Sequence, residues 1–281
     1  MTFNKIKSYA KINLALNVIR KDISLHKIES LVAFVSLHDE IYIKKIKSKK
    51  HLISFNGRFS KNISKNNTIS KLFSVLEKKK ILTNKKFQIK IKKKIPNKAG
   101  LGGGSMNAAS ILNYLQKKKL VKMSKKELFN VSKLVGSDVI LGLKPTHSVL
   151  NVKNEITYFK NCKKIYTLIV KPNFGCSTKY IYSKVRSFSK PKFNIPQKKM
   201  FNLKYIKKMN NALEPIALSK YPKLRAIKVF LENLSNTVFV RMTGSGSVLI
   251  GYFQTKEKCQ NAKKMFSKKY KNYWCIASKT I

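Results

Sequence analysis

The stretch Ala99-Gly-Leu-Gly-Gly-Gly-Ser-Met-Asn-Ala-Ala109 constrains this chain more than any other. Four of its eleven positions are glycine (Gly100, Gly102, Gly103, Gly104), in a chain with only 11 glycines among 281 residues. The alternating run Phe87-Gln-Ile-Lys-Ile-Lys before it predicts a strand. Ser105 then opens a periodic stretch, Ala108-Ala-Ser-Ile-Leu-Asn-Tyr-Leu, that predicts a helix. Strand, glycine loop and helix start together make an anion site: glycine lets the backbone approach a phosphate, and a helix N-terminus offers unpaired N–H groups and the positive end of a dipole. Gly103 is expected where the backbone approaches the phosphates, a place that can call for a positive φ. The loop lacks the Gly-Lys-Ser/Thr ending of a Walker A motif. It also lacks the acidic residue about 20 positions on that a dinucleotide fingerprint requires. A flexible connector is the plain alternative, and the apolar flanks argue against it.

Charge is the second constraint. The chain carries a formal +50, which invites a nucleic-acid reading. The cation type weakens that reading: Arg20, Arg58, Arg186, Arg225 and Arg241 are the only arginines, so 56 of the 61 basic residues are lysines. Lysine lacks the planar fork that reads bases and phosphates. Its even spread, with abundant Ile and Asn, reads as compositional bias toward A/T-rich codons. Cys162, Cys176, Cys259 and Cys275 have no CxxC spacing and no paired histidines, so reduced thiols in a cytoplasmic protein are expected, with no protein-held metal. No apolar run suits a signal peptide or membrane span.

Strands are expected near 5–9, 12–19, 28–36, 40–46, 51–55 and 87–93, with a helix near 67–79. Helices follow near 105–118 and 125–135, and short strands lead to about 158. A strand over 166–170 comes next, then a helix capped by Ser177 or Thr178. Helices near 203–218, 222–233 and 256–268 and strands near 237–242, 247–253 and 273–277 complete an α+β chain. Two domains are expected, 1–158 and 159–281.

Only three aspartates occur, Asp22, Asp39 and Asp138. Asp138 sits in the charge-free Leu134-Val-Gly-Ser-Asp-Val-Ile-Leu-Gly142, where a carboxylate is either a helix cap or a group with a partner and a role. Asp22 and Asp39 lie beside charges and turn residues and read as ordinary surface acids. Lys11 is the reverse case, the one charge within Ser8-Tyr-Ala-Lys-Ile-Asn-Leu-Ala-Leu-Asn17. A lysine there can hold an aspartate ionised or meet a phosphate; chance placement among 56 lysines is the alternative. The turn Arg241-Met-Thr-Gly-Ser-Gly246 reads by itself as a tight hairpin.

Together these segments resemble the GHMP kinases, the superfamily of galactokinase, homoserine kinase, mevalonate kinase and phosphomevalonate kinase. The matching motifs are Ala10-Lys-Ile-Asn-Leu14, Pro96-Asn-Lys-Ala-Gly-Leu-Gly-Gly-Gly-Ser105, Leu134-Val-Gly-Ser-Asp-Val139 and Met242-Thr-Gly-Ser-Gly246. They run in order over most of the chain. Ala10-Lys-Ile-Asn-Leu14 with the following His26 points to the branch acting on a cytidine-diphosphate-linked methylerythritol. The chain departs from that branch at Ile23-Ser-Leu-His26, where Asp-Gly-Tyr-His is common. It departs again at Met106 in place of a serine, and at Asn211-Ala-Leu-Glu214 in place of Asn-Asp-Leu-Glu.

The resemblance implies a ribosomal-protein-like N-terminal domain and a ferredoxin-like α/β C-terminal domain. It implies ATP-dependent phosphorylation of the 2-hydroxyl of that cytidyl substrate, on the non-mevalonate route to isoprenoid precursors. Lys11 and Asp138 would be catalytic. Asn97, Lys98, Ala99, Gly100, Leu101, Gly102, Gly103, Gly104, Ser105, Met106 and Asn107 would bind ATP, with Mg²⁺ arriving on the nucleotide. Asn13, Leu25, His26, Thr178, Tyr182, Gly244 and Ser245 would bind the substrate, the positions of Leu25 and Tyr182 flanking the cytosine. The implied protein is a cytoplasmic monomer or weak homodimer with no specific nucleic-acid or membrane partner. A homoserine-kinase-type enzyme and a basic RNA-binding protein are the competing readings.

Overall fold

A computed structural model describes residues 2–22 and 26–281. The chain forms two compact units assembled from interleaved segments. The first comprises Met1–Lys11, Leu37–Asn97 and Gly102–Pro145; the second comprises Ile12–Ser36, Lys98–Leu101 and Thr146–Ile281. The expected boundary at 158/159 is therefore a statement about modules along the chain rather than about these units.

Two long strands thread both units: β1 (Asn4–Lys21) and β2 (His26–Ile46). The first unit adds β3 (Leu52–Asn56), α1 (Thr68–Lys78), β4 (Lys86–Lys92), α2 (Gly103–Lys117), α3 (Lys125–Val135) and the short α4 (Val139–Gly142). β4 runs antiparallel to β2, from Glu40 opposite Lys92 to Ile46 opposite Lys86, and β3 pairs parallel to β4. The period-2 pattern explains the layering: Phe87, Ile89 and Ile91 point into a core shared with Leu72, Phe73 and Leu76 of α1 and Ile111, Leu112 and Leu115 of α2. Capping boxes start α1 (Asn67 with Ser70) and α3 (Ser124 with Glu127).

The second unit pairs the early part of β2 with β5 (His147–Leu150), and β5 with β6 (Ile156–Phe159). The chain continues through β7 (Tyr166–Lys171), α5 (Thr178–Ser183), a 3-10 turn (Lys198–Phe201), α6 (Leu203–Lys207), α7 (Glu214–Lys220) and α8 (Pro222–Glu232). It ends with β8 (Phe239–Met242), β9 (Leu249–Phe253), α9 (Lys256–Lys269) and β10 (Trp274–Lys279). The order β10-β7-β9-β8 makes an antiparallel sheet. Its core joins Leu168, Val170 and Phe253 to Leu224, Ile227 and Leu231 of α8 and Phe266 of α9.

Three expectations change. The separate early strands merge into β1 and β2, because buried residues continue through the polar positions that seemed to end them. The helix expected over 203–218 is broken between α6 and α7. There Leu16 N–H donates to Asn210 O and Ala212 N–H donates to Leu16 O, so this stretch pairs with β1 instead of closing helical bonds. Asp39 lies within β2, not at a turn, and is fully buried. Among the described residues, no helix is long and apolar enough to cross a membrane.

Candidate active-site residues

In the first unit β1 delivers Lys11 and the segment before α4 delivers Asp138. Lys11 is 5% exposed, and its Nζ lies 3.2 Å from Asp138 Oδ2. Asp138 stands at the N-cap position of α4 yet makes no side-chain cap bond. Its carboxylate, about a third exposed, faces Lys11. The helix-cap alternative thus gives way to an ion pair with one partner buried and the other open to solvent.

The stem of Lys11 covers Gly102, where a Cβ would fall 2.9 Å from Lys11 Cγ. Gly102 has φ +67° and caps α2 without a side-chain hydrogen bond. The first intrahelical bond runs from Met106 N–H to Gly102 O at 2.8 Å. The amides of Gly103, Gly104 and Ser105 consequently have no helical carbonyl to donate to, the arrangement that receives anions. The buried ammonium of Lys11 thus belongs to the same cluster as an uncapped helix N-terminus. Ser105 Oγ lies 3.6 Å from the place a Cβ on Gly136 would occupy, so the helix start also meets the segment carrying Asp138.

The demand for glycine falls on different positions than expected. Gly100 (φ +73°) and Gly102 take the left-handed conformation, whereas Gly103 does not. Gly103 is instead crowded, a Cβ there meeting Ile95 Cγ2 at 3.1 Å and Lys93 Nζ at 3.3 Å. Asn97 spends its amide on Phe59 O at 2.7 Å, and Lys98 has φ +50°. Ala99, Leu101 and Met106 are buried apolar side chains, so they offer a ligand only backbone.

The sequence reading missed Asp39. Its Oδ1 accepts from Lys94 N–H at 2.7 Å and Ile95 N–H at 2.8 Å, and its Oδ2 accepts from Asn107 Nδ2 at 3.0 Å and from the Lys93 ammonium. Its local signal was weak. The apolar run Leu31–Val35 before it is the one hint that the strand was still buried when it reached Asp39.

In the second unit Asn13, Gly100, Thr243, Gly244, Ser245 and Thr178 meet. Asn13 N–H donates to Thr243 Oγ1 at 2.9 Å, and Asn13 Nδ2 donates to Ser30 Oγ at 2.8 Å. A Cβ on Gly100 would overlap the Thr243 carbonyl, which restricts that position to glycine on two counts. Thr178 Oγ1 and Ser245 Oγ share a hydrogen bond of 2.8 Å. His26 and Tyr182 place their ring centroids 5.1 Å apart. Burial, reinforced by nearby Lys21, lowers the His26 pKa and favours the neutral ring. Leu25 lies outside the described residues.

Comparisons with known proteins bear on the fold and the family. Residues 67–147 match the GHMP kinases N terminal domain. A solved structure of 4-(cytidine 5'-diphospho)-2C-methyl-D-erythritol kinase superposes with TM-score 0.79 at 22% identity, covering 99% of this chain and all of the other. A homoserine kinase from Cytophaga hutchinsonii superposes with TM-score 0.73 at 15% identity, over 100% of this chain and 95% of the other. These likenesses define the class: the fold is that of the GHMP kinases. The 4-diphosphocytidyl-2-C-methyl-D-erythritol kinase of Pelagibacter ubique is 58% identical over 277 residues, 99% of each chain. Its namesake in Petrotoga mobilis is 35% identical over 87% of this chain and 96% of the other. The chain belongs to the 4-diphosphocytidyl-2-C-methyl-D-erythritol kinase family.

Proposed function

We propose that this protein transfers the γ-phosphoryl group of ATP to the 2-hydroxyl of 4-diphosphocytidyl-2-C-methyl-D-erythritol. The observation that carries the reading is the Lys11–Asp138 pair beside the uncapped N-terminus of α2. Asp138 accepts the hydroxyl proton as the alcohol oxygen attacks phosphorus. Lys11 orients that carboxylate and supplies positive charge where negative charge grows on the transferring group. The amides of residues 103–105 hold the β-phosphate.

ATP supplies the phosphoryl group and carries Mg²⁺ with it. The residues present fit such a ligand: the helix start has no side-chain cap, and a buried ammonium adjoins it. His26 and Tyr182 hold the cytosine, and Thr178, Gly244, Ser245 and Asn13 line the substrate. Residues 1–158 and 159–281 are the family modules in this reading. The protein works in the cytoplasm as a monomer or weak homodimer, and its positive charge attracts anionic substrates without reading nucleic acid.

The test is phosphorylation of the cytidyl substrate with labelled ATP, alongside homoserine and mevalonate, by wild type and Asp138→Asn. Transfer confined to the cytidyl substrate and lost in the variant supports the reading. Transfer to homoserine alone moves the chain to another branch. Salt-sensitive RNA binding without turnover overturns the kinase reading.

A further inference from the structure

Asp39 is the most enclosed acid of the first unit, and the reaction itself does not use it. It is fully buried in β2 and collects four donors from two directions. Two are backbone N–H groups, Lys94 and Ile95, where β4 leads into the glycine loop. The other two are side chains, Lys93 before the loop and Asn107 in α2 beyond it. One carboxylate thus ties together both ends of the loop. The Lys93 ammonium it holds stands 3.3 Å from the place a Cβ on Gly103 would take, so the pair reaches the first residue of α2.

Asn107 adds an independent observation. Donating its amide N–H to Asp39 turns its Oδ1 the other way, where it is buried and has no hydrogen-bond partner among the described residues. Rotating the amide would not satisfy Oδ1, because it would set that oxygen against the carboxylate, acceptor facing acceptor. Asp39 therefore dictates the orientation of Asn107 at the expense of a buried acceptor. Such an expense calls for a cause, and a group held for another molecule supplies one.

We propose that Asp39 is a positioning residue for nucleotide binding: it fixes the spacing of the glycine loop's two ends, holds Lys93 beside the first residue of α2 and sets the orientation of the Asn107 amide. The proposal rests on the kinase reading and deepens it. Asp39→Asn is the incisive variant. The new amide keeps an oxygen for Lys94 and Ile95 N–H but turns an NH₂ toward two donors, Lys93 and Asn107.

Steady-state kinetics are measured with ATP and the cytidyl substrate varied in turn. Asp39→Asn should raise KM for ATP roughly 10- to 100-fold, the effect of losing an outer support. KM for the cytidyl substrate should stay within about threefold. A residue that only stabilises the fold would reduce the amount of active enzyme and leave KM for ATP unmoved; that result overturns the proposal. If Asp39→Asn does not fold, Lys93→Met and Asn107→Ala each remove one arm and keep the buried carboxylate bonded to the backbone. Both should raise KM for ATP, and an unchanged value in both overturns the proposal. Absence of turnover in the wild type would instead strike the kinase reading, so the two failures are distinct.

Discussion

The two glycine segments are held in place by different chemistry. Around the first, residues 93–95 and 102–107, the fixing groups are ions: Asp39 with Lys93, and Lys11 with Asp138. Around the second, residues 243–247, they are mostly amides and carbonyls, with one carboxylate: Glu214, paired with Lys228, accepts from Met242 N–H at 2.8 Å. Asn211 donates to Met242 O and Gly244 O at 2.8 Å each, and Asn13 is joined to Thr243. Arg241 donates to the carbonyls of Leu14 and Ile206 at 2.6 and 3.0 Å and to that of Met209. Buried ion pairs contribute little net stability, because desolvation opposes their attraction. Two of them adjoin the unbonded amides at the start of α2, a region arranged for a charged ligand, while the amides of the second segment give a turn its shape.

The largest effect should come from unbalancing the ionic side. Asp138→Asn keeps the size of the side chain but cannot take a proton, so turnover should fall roughly 10²- to 10⁴-fold with little change in ATP affinity. Turnover near wild type in a folded variant would place the base elsewhere.

Both units should lose stability in mild acid, since burial also lowers the His51 pKa in the first against the opposing pull of Glu77, but the second should lose more. Burial pushes the pKa of His147, in the second unit, down to about 4. The unfolded chain binds that proton near pH 6.5 and the folded chain does not, so the contribution is complete above pH 6.5. It is lost as pH falls toward 4, by up to about 3 kcal/mol. Glu40, in the first unit, is drawn down to about 2 chiefly by its hydrogen bond with Lys94, with help from Lys5. Its contribution holds above about pH 4.5 and fades only toward pH 2. Urea unfolding from pH 7 to 4 should lose stability in wild type and much less in His147→Leu. Equal slopes would remove His147 as the cause.

A smaller effect separates two neighbouring glycines. Gly100→Ala imposes a left-handed conformation, about 1–2 kcal/mol, and adds the overlap with Thr243 O. Gly103→Ala meets only side-chain atoms at 3.1 Å or more. Thermal unfolding should rank Gly100→Ala as the more damaging, and the reverse order would contradict the assigned backbone. The smallest effect tests the substrate side. Tyr182→Ala removes the ring beside His26, and stacking is worth about 0.5–1.5 kcal/mol, so KM for the cytidyl substrate should rise roughly two- to tenfold at constant KM for ATP.

The glycine loop was legible because strand, turn and helix signals are all local. Lys11 and Asp138 stood out for the same reason, each being a lone charge in an apolar stretch. Asp39 was hidden by its neighbours: His38 and Glu40 give it the look of a surface turn, while its main partners arrive from 54 to 68 residues away. The break at Asn211 was hidden likewise, since helical periodicity does not reveal an amide that bonds carbonyls 31 and 33 residues on. Which glycines need positive φ depends on what lies against them, and the local sequence does not separate Gly103 from Gly100 and Gly102.

The pairing of buried lysines with scarce aspartates has an evolutionary consequence. The chain has three aspartates and 56 lysines. Lys11 and Lys93 are the buried lysines among the described residues, and each is matched to an aspartate, Asp138 and Asp39. The third aspartate, Asp22, is exposed and meets Arg20. A lineage drifting toward lysine can lose acids wherever water replaces them at no loss. The two aspartates paired with buried lysines are then the positions where saturation mutagenesis should find the least tolerance.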